Sequence, residues 1–169
     1  MNQENLSKST SLWIPRPYTC EEEKRIQSKL NEKLDPELVA YRPGPGHTRV
    51  AYIEGRQVIS LANEIFGFNG WSSNVKEITI DFVNEVQGGR IQVGVSVILR
   101  VTLKDGTYRE DIGYGSGEFP KKADAFQKAK KEAMTDALKR TLRSFGELLG
   151  NCIYDKRYLQ EIANKQRKH

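Results

Sequence analysis

The residues with the clearest chemical potential are cations at helical spacing in the segment 121–146. Counting 100° per residue from Lys139, Arg143 falls at about +40° and Lys128 at about −20°. Arg140 lies at the edge of this face, at about +100°. The opposite side, at roughly 120–300°, carries the apolar residues Phe126, Ala133, Met134, Ala137, Leu142 and Phe145. One face is suited to burial and the other to an anionic, polyphosphate-like partner, although a simply solvated charged face fits this helix equally well.

Positive charge is concentrated in the C-terminal third of the chain. Of the 27 Lys and Arg residues, 13 lie between positions 121 and 169, together with only 6 of the 22 Asp and Glu residues. This third therefore carries +7 and the rest −2, within a net charge of +5. Such an asymmetry attracts nucleic acid or an acidic membrane surface. A membrane partner is disfavoured, because no run approaches the roughly 18 apolar residues of a span and the start does not resemble a signal peptide.

Residues that could perform covalent or metal chemistry are few and scattered. The cysteines and histidines are Cys20, Cys152, His47 and His169. The two cysteines are far apart and lack metal-ligand spacing, which is typical of reduced thiols in an intracellular protein. Glu110 and Asp111 are adjacent on a predicted strand, so they point to opposite faces and do not form a catalytic dyad. The sequence predicts no catalytic constellation, no metal site and no cofactor.

Residues 113–117 read Gly-Tyr-Gly-Ser-Gly between a predicted strand and a predicted helix, where phosphate-binding loops occur. The spacing matches neither a dinucleotide-binding fingerprint nor a Walker loop, so a nucleotide-dependent enzyme is the weaker interpretation. A sharp, close-packed turn is favoured instead. Lys121 and Lys122 follow at the predicted helix start, where cations oppose the helix dipole, and this favours an anion site.

Three tyrosines are candidates for stacking on bases, namely Tyr52, Tyr108 and Tyr114. Base stacking on aromatic side chains is a common way to hold single-stranded nucleic acid. Packing in the core or at an interface is the alternative for each of them.

Hydrophobic periodicity predicts the helices that must position these residues. Thr19 and Glu22 form a capping box ahead of a helix striped by Ile26, Leu30 and Leu34. A second helix is predicted over 55–66, a long one over 121–149 and a last one over roughly 154–164.

The strands are predicted at 49–53, 75–83, 91–103 and 107–112. The third is the clearest, because apolar residues occupy every second position for thirteen residues. The last three form a meander with one dry face, which the long helix is expected to cover as a β-β-β-α unit. We therefore predict an α+β fold with an antiparallel β-β-β-α core and flanking helices. The strand at 91–103 is expected to lie near a sheet edge, where it would invite another chain. A monomer whose edges are covered by its own helices is the alternative.

Six segments then carry a resemblance to a known family: 52–55 (YIEG), 59–71 (ISLANEIFGFNGW), 108–115 (YREDIGYG), 128–133 (KAKKEA), 135–146 (TDALKRTLRSFG) and 149–156 (LGNCIYDK). Over roughly residues 18–159 the chain resembles the N-terminal annealing domain of the eukaryotic Rad-fifty-two (Rad52) family of single-strand-annealing recombination mediators.

The resemblance implies a ring-forming oligomer whose outer groove carries single-stranded DNA. The family's inner DNA-binding positions fall on Arg42, Lys139, Arg140 and Arg143, and its backbone contact falls near Ser116. Its outer site, which also meets duplex DNA, falls on Arg90 and on Lys121 or Lys122. The loop before the long helix is one residue shorter than in the family, which leaves the choice between the two lysines open.

The resemblance also implies the biological setting. The chain is expected to be a nuclear, non-enzymatic protein that binds single-stranded DNA and anneals complementary strands in homologous recombination and double-strand-break repair. Family members bind the recombinase and the single-strand-binding protein through a long tail, and such contacts are expected to lie outside a chain that ends at His169, be it a fragment or a short paralogue. The expected organisation is a flexible arm at 1–17, the binding and oligomerisation domain at 18–160 and a basic tail at 161–169. The rival from another class is a nucleotide-dependent enzyme that uses the glycine-rich segment, and a second rival is a structural oligomer with a solvated basic face.

Overall fold

The computed structural model describes residues 14–166 of the chain. Its helices are α1 (Cys20–Leu30), α2 (Gly55–Phe66), α3 (Lys122–Arg143) and α4 (Lys156–Gln166). Its strands are β1 (Ala40–Pro43), β2 (Arg49–Tyr52), β3 (Trp71–Val86), β4 (Arg90–Leu103) and β5 (Tyr108–Phe119). The strands form an antiparallel β1–β2 hairpin and an antiparallel sheet in the order β3-β4-β5. The predicted α+β class and β-β-β-α core are confirmed.

Strand β4 is the centre of the core. Its alternate side chains from Val93 to Leu103 are almost completely buried, as the period-two pattern predicts. Helix α3 packs across β4 and β5 on this face. The expectation that this strand lies near a sheet edge is wrong, because β4 pairs along its length with β3 on one side and β5 on the other. The sheet edges are β3 and β5.

The glycine-rich segment is part of strand β5, and the prediction of a turn at 113–117 is wrong. Gly113, Gly115 and Gly117 all face α3, where an added Cβ would overlap helix atoms. Helix α3 places a stripe of small, fully buried residues against these glycines, namely Ala125, Ala129, Ala133 and Ala137. Small residues on both sides let the helix and strand backbones approach closely. These glycines therefore serve packing, and the argument for a nucleotide-binding loop is lost.

Helix α3 ends earlier than predicted. It stops at Arg143, and Gly146 then lies against Leu30 of α1, where a Cβ would meet the Leu30 carbonyl oxygen at 2.7 Å. Two short 3-10 turns follow, at Glu147–Leu149 and Asn151–Tyr154, before α4 begins at Lys156. Beyond the predicted apolar set, Thr141 is buried, and its hydroxyl donates to the Ala137 carbonyl.

The segments near the two ends of the chain match the predictions only in part. The capping box of α1 is present, with both Thr19 and Glu22 hydrogen bonds formed. Residues 14–17 of the predicted arm run beside the β4–β5 turn, where the Arg16 N–H donates to the Lys104 carbonyl at 2.7 Å. The remainder of that arm and residues 167–169 lie outside the described residues. Helix α4 continues through Gln166, so the predicted basic tail begins within it.

Candidate nucleic-acid interface

The ring of Tyr52 brings two cations together from different elements. The guanidinium carbon of Arg42 lies 5.8 Å from the ring centroid, and Nζ of Lys139 lies 5.5 Å from it. Arg42 belongs to β1 and Tyr52 to β2, whereas Lys139 comes from the late part of α3. A cation over an aromatic face is held by the ring quadrupole while its N–H donors remain able to bind an anion.

Arg143 is oriented in a similar way at the end of α3. Its guanidinium carbon lies 4.1 Å from the ring centroid of Tyr154. Its Nε is buried and has no hydrogen-bond partner within the part of the chain that the structure describes. Arg140, one turn earlier, donates from Nε to Oδ1 of Asp111 at 3.3 Å. Both arginines sit in the last turn of the helix, where the helix dipole favours positive charge.

Two adjoining cavities of about 510 and 100 Å³ connect these side chains. Arg42, Lys139 and Asp136 line both of them. Arg140, Arg143, Tyr52 and Tyr154 line the smaller one, and Tyr114, Lys128 and Lys131 line the larger one. We call the surface formed by Arg42, Lys139, Arg140 and Arg143 around these cavities the inner groove. The four predicted inner cations are thus brought together in a single chain.

Ser116 is placed differently from the four cations. It lies on β5 outside the lining of both cavities, and its backbone N–H donates to Oε2 of Glu132 at 3.4 Å. The neighbouring Tyr114 N–H donates to Oδ2 of Asp136 at 3.1 Å. Carboxylates of α3 therefore satisfy amides along the free edge of β5, which would otherwise pair with another strand. Tyr114 lines the larger cavity, whereas Tyr108 lines neither cavity and has the guanidinium carbon of Arg100 4.1 Å from its ring centroid.

The carboxylates also set the electrostatics of the groove. Burial lowers the pKa of the Lys139 ammonium, and the nearby charge of Arg42 lowers it further. The carboxylates of Asp136 and Glu132 act in the opposite direction and raise it. Glu132 additionally accepts from Nζ of Lys128 at 2.6 Å. Lys139 therefore lies close enough to Arg42 to be affected by its charge, and carboxylates of the same chain partly balance this repulsion.

The predicted outer residues lie at one end of the sheet. Arg90 is the first residue of β4, one residue before the predicted start of that strand, and the adjacent pair Ile91–Phe119 places it beside the end of β5. Lys121 caps α3 without a side-chain hydrogen bond, and Lys122 begins the helix. We call Arg90, Lys121 and Lys122 the outer cluster. Its arginine is already bound, because Nε and Nη2 of Arg90 donate to the Glu118 side chain and carbonyl, both at 2.8 Å.

Two groove residues were missed by sequence reasoning. Tyr154 was placed at the start of a helix, but it belongs to a 3-10 turn that presents its ring to Arg143. Asp136 lies three residues before Lys139 and one helical turn before Arg140, and this spacing was the available signal that a carboxylate shares the cationic face.

Within residues 14–166, no group of three or more His, Cys, Asp or Glu side chains is placed to hold a metal ion. No helix of the same range is long and apolar enough to cross a membrane.

An α+β domain with a cationic groove between a hairpin and the last turns of its longest helix defines a candidate polyanion-binding module. Residues 22–169 match the model of the Rad52/22 family of double-strand break repair proteins, so the chain belongs to that family. It is 58% identical over 148 residues to the DNA repair and recombination protein rad22 of Schizosaccharomyces pombe, covering 86% of this chain. It is 58% identical over 138 residues to the DNA repair and recombination protein RAD52 of Saccharomyces cerevisiae, covering 81% of this chain.

A shorter relative is the DNA repair and recombination protein rti1 of S. pombe, which is 51% identical over 155 residues and covers 88% of this chain. The aligned parts make up 32% of rad22, 29% of RAD52 and 42% of rti1. This chain therefore spans only about a third of the length of the relatives it matches.

Proposed function

We propose that this chain binds single-stranded DNA and anneals complementary strands during recombinational repair of double-strand breaks, acting in the nucleus and without catalysing a covalent reaction. The observation that carries the proposal is the convergence of Arg42, Lys139 and Arg143 on one groove, with donors directed by aromatic rings. Family membership supports the setting, because the relatives are named as DNA repair and recombination proteins.

The proposed mechanism is electrostatic. Phosphates of one strand would displace counterions and lie along the inner groove, which leaves the bases free to pair. Since phosphates carry no sequence information, any sequence would be held equally well. The outer cluster of Arg90, Lys121 and Lys122 would capture the incoming strand or duplex DNA.

Self-association is part of this proposal, and strand β3 supports it. Val75, Ile78, Ile80 and Val83 are between 39% and 51% exposed, although they pair with buried residues of β4 on the α3 side of the sheet. Helix α3 covers β4 and β5 but leaves this apolar stripe uncovered. Identical chains that cover one another head to tail would close into a ring and align many copies of the groove.

Binding is tested by titrating labelled single strands of two unrelated sequences at several salt concentrations. We expect equal affinities for both sequences and a linear fall of log K with log salt, with a slope of about −0.7 for each phosphate neutralised. Absence of binding at low salt would contradict the proposal.

Assembly is tested by light scattering at micromolar concentration, with Ile80→Asp as the variant. The wild type should show a mass several times the 19.3 kDa of one chain, and the variant should shift towards the monomer because it places a charge on the exposed stripe. Ser72→Asp, on the other face of β3, provides the control for the added charge. A wild-type mass near 19.3 kDa would contradict the ring.

A further inference from the structure

The β1–β2 hairpin carries cations on both of its faces. In its antiparallel register Arg42 pairs with Val50, and Pro43 pairs with Arg49. Because side chains alternate along a strand, Arg42 and Arg49 point to opposite faces of the hairpin. Only the first of these faces belongs to the inner groove.

Arg49 is supported on its face in the same manner as the groove cations. Its guanidinium carbon lies 4.5 Å from the ring centroid of Tyr41. The side chain is exposed, and none of the ion pairs between residues 14 and 166 involves it. By contrast, Arg90 and Arg100 are engaged by carboxylates of their own chain. Arg49 is therefore an oriented cation whose N–H groups are available to an external acceptor.

The surface around Arg49 is continuous with the inner groove. A cavity of about 330 Å³ is lined by Tyr41, Arg42, Pro43, His47, Thr48 and Arg49. Arg42 also lines both groove cavities, so it forms the common border of all three. An extended polyanion that passes Arg42 can thus reach Arg49 by crossing the edge of the hairpin.

The hairpin tip is fixed well enough to define that path. The Gly44 N–H donates to the Thr48 carbonyl at 2.8 Å, and the Thr48 hydroxyl donates to the Pro45 carbonyl at 2.6 Å. Gly46 adopts a φ of 62°, a left-handed conformation that favours glycine.

We propose that single-stranded DNA continues from the inner groove over the edge of the β1–β2 hairpin and that Arg49 binds a backbone phosphate there. The inference rests on the proposed function and extends the binding path of each chain to a second face. The Tyr41 ring keeps the guanidinium in place, and the Arg49 N–H groups donate to the phosphate oxygens. A strand leaving one groove is thereby held before it reaches the next copy of the chain.

The test compares Arg49→Ala with Arg56→Ala on single strands of different lengths. Arg56 is the matched control, because it is an exposed arginine that pairs with Glu54 and lines none of the three cavities. On a strand of about 4 nucleotides both variants should bind as the wild type does, because such a strand occupies only the groove. On a strand of about 16 nucleotides Arg49→Ala should lose about fivefold or more in affinity, and its slope of log K against log salt should become less negative by about 0.7. Arg56→Ala should show neither change.

Two results would overturn the inference. Equal behaviour of the two variants on the longer strand would remove Arg49 from the path. An equal loss for Arg49→Ala on both strand lengths would place Arg49 inside the groove rather than beyond it. Failure of the proposed function is distinguishable from both, because in that case the wild type itself would bind neither strand.

Discussion

The inner groove and the outer cluster both present positive charge, but they hold it in different ways. Arg42, Lys139 and Arg143 rest on tyrosine rings, which direct the cations without occupying their donors. Arg90 has its Nε and Nη2 bound to Glu118, while Lys121 and Lys122 are exposed at a helix start, with Nζ of Lys122 6.0 Å from the Phe126 ring centroid. Except for Arg140, which pairs with Asp111, the groove cations would thus be oriented before the proposed strand binds, whereas Arg90 would have to exchange an internal partner for a phosphate. Preorganised donors bind more tightly, because less ordering and desolvation is required on contact.

The largest effect is expected for Arg143→Ala, because this arginine has a buried Nε without a partner and no competing carboxylate in the described ion pairs. Affinity for single strands of any sequence should fall roughly tenfold or more, and the slope of log K against log salt should become less negative by about 0.7. Arg140→Ala should lose less, because Arg140 already binds Asp111. Lys24→Ala on α1 is the control for charge. Unchanged affinity in both groove variants, with an intact circular-dichroism spectrum, would reject the inner assignment.

A smaller effect of opposite sign is expected for Asp136→Asn. The substitution removes a negative charge that lines both groove cavities, and its amide oxygen can still accept from the Tyr114 N–H. Affinity for single strands should rise roughly threefold at low salt, since a charge pair several ångströms apart near water is worth under about 1 kcal/mol. Glu23→Gln, on the exposed side of α1, makes the same charge change away from the groove. Equal affinities of the two variants would show that Asp136 does not repel the strand.

Arg90→Ala should lower the affinity for one short strand by only about twofold, the scale of an exposed ion pair. Annealing should fall further, because the outer cluster is proposed to capture the second strand. Glu118→Gln sharpens the comparison, since it weakens the internal partner of Arg90 and should speed annealing. If binding and annealing fall by the same factor in Arg90→Ala, the outer cluster is not a distinct site.

The smallest effect is a pH dependence that arises from Lys139. Burial lowers the pKa of its ammonium in the free protein, so the charge is lost as pH rises, starting below the ordinary lysine value of 10.5. Phosphate binding favours the charged form of the lysine. Affinity should therefore begin to weaken at a lower pH than it would if Lys139 were an exposed lysine with the ordinary pKa. Lys139→Arg keeps its charge and should give a flatter profile at alkaline pH. Identical profiles for the wild type and this variant would contradict the expected loss of the Lys139 charge within the measured pH range.

Sequence patterns were sufficient where local rules dominate. The capping box of α1, the alternation in β4 and the amphipathic α3 were all readable, because each depends on spacing within a single element. The glycines of β5 were misread as a turn, since their role depends on an alanine stripe in another element. Strand β1 was missed, because four residues containing a proline give no periodic signal.

In the candidate site, too, features within one helix were predictable and features that depend on contacts between elements were not. The shared face of Lys139 and Arg143 follows from helical geometry, but the position of Arg42 beside them came from the family resemblance alone. The hydrogen bonds of Arg90 to Glu118 depend on how β4 and β5 are paired, which no local pattern specifies. The support of Arg143 by Tyr154 likewise depends on the turn that follows the helix.

The central claim, annealing of complementary strands held by the inner groove, is tested most directly by the annealing rate of fluorophore-labelled strands. Two complementary pairs of unrelated sequence should anneal faster with the wild type, by the same factor for both, and rising salt should remove the acceleration. Arg143→Ala should show little acceleration at protein concentrations that saturate the wild type. No acceleration by wild-type protein that demonstrably binds both strands would contradict the account.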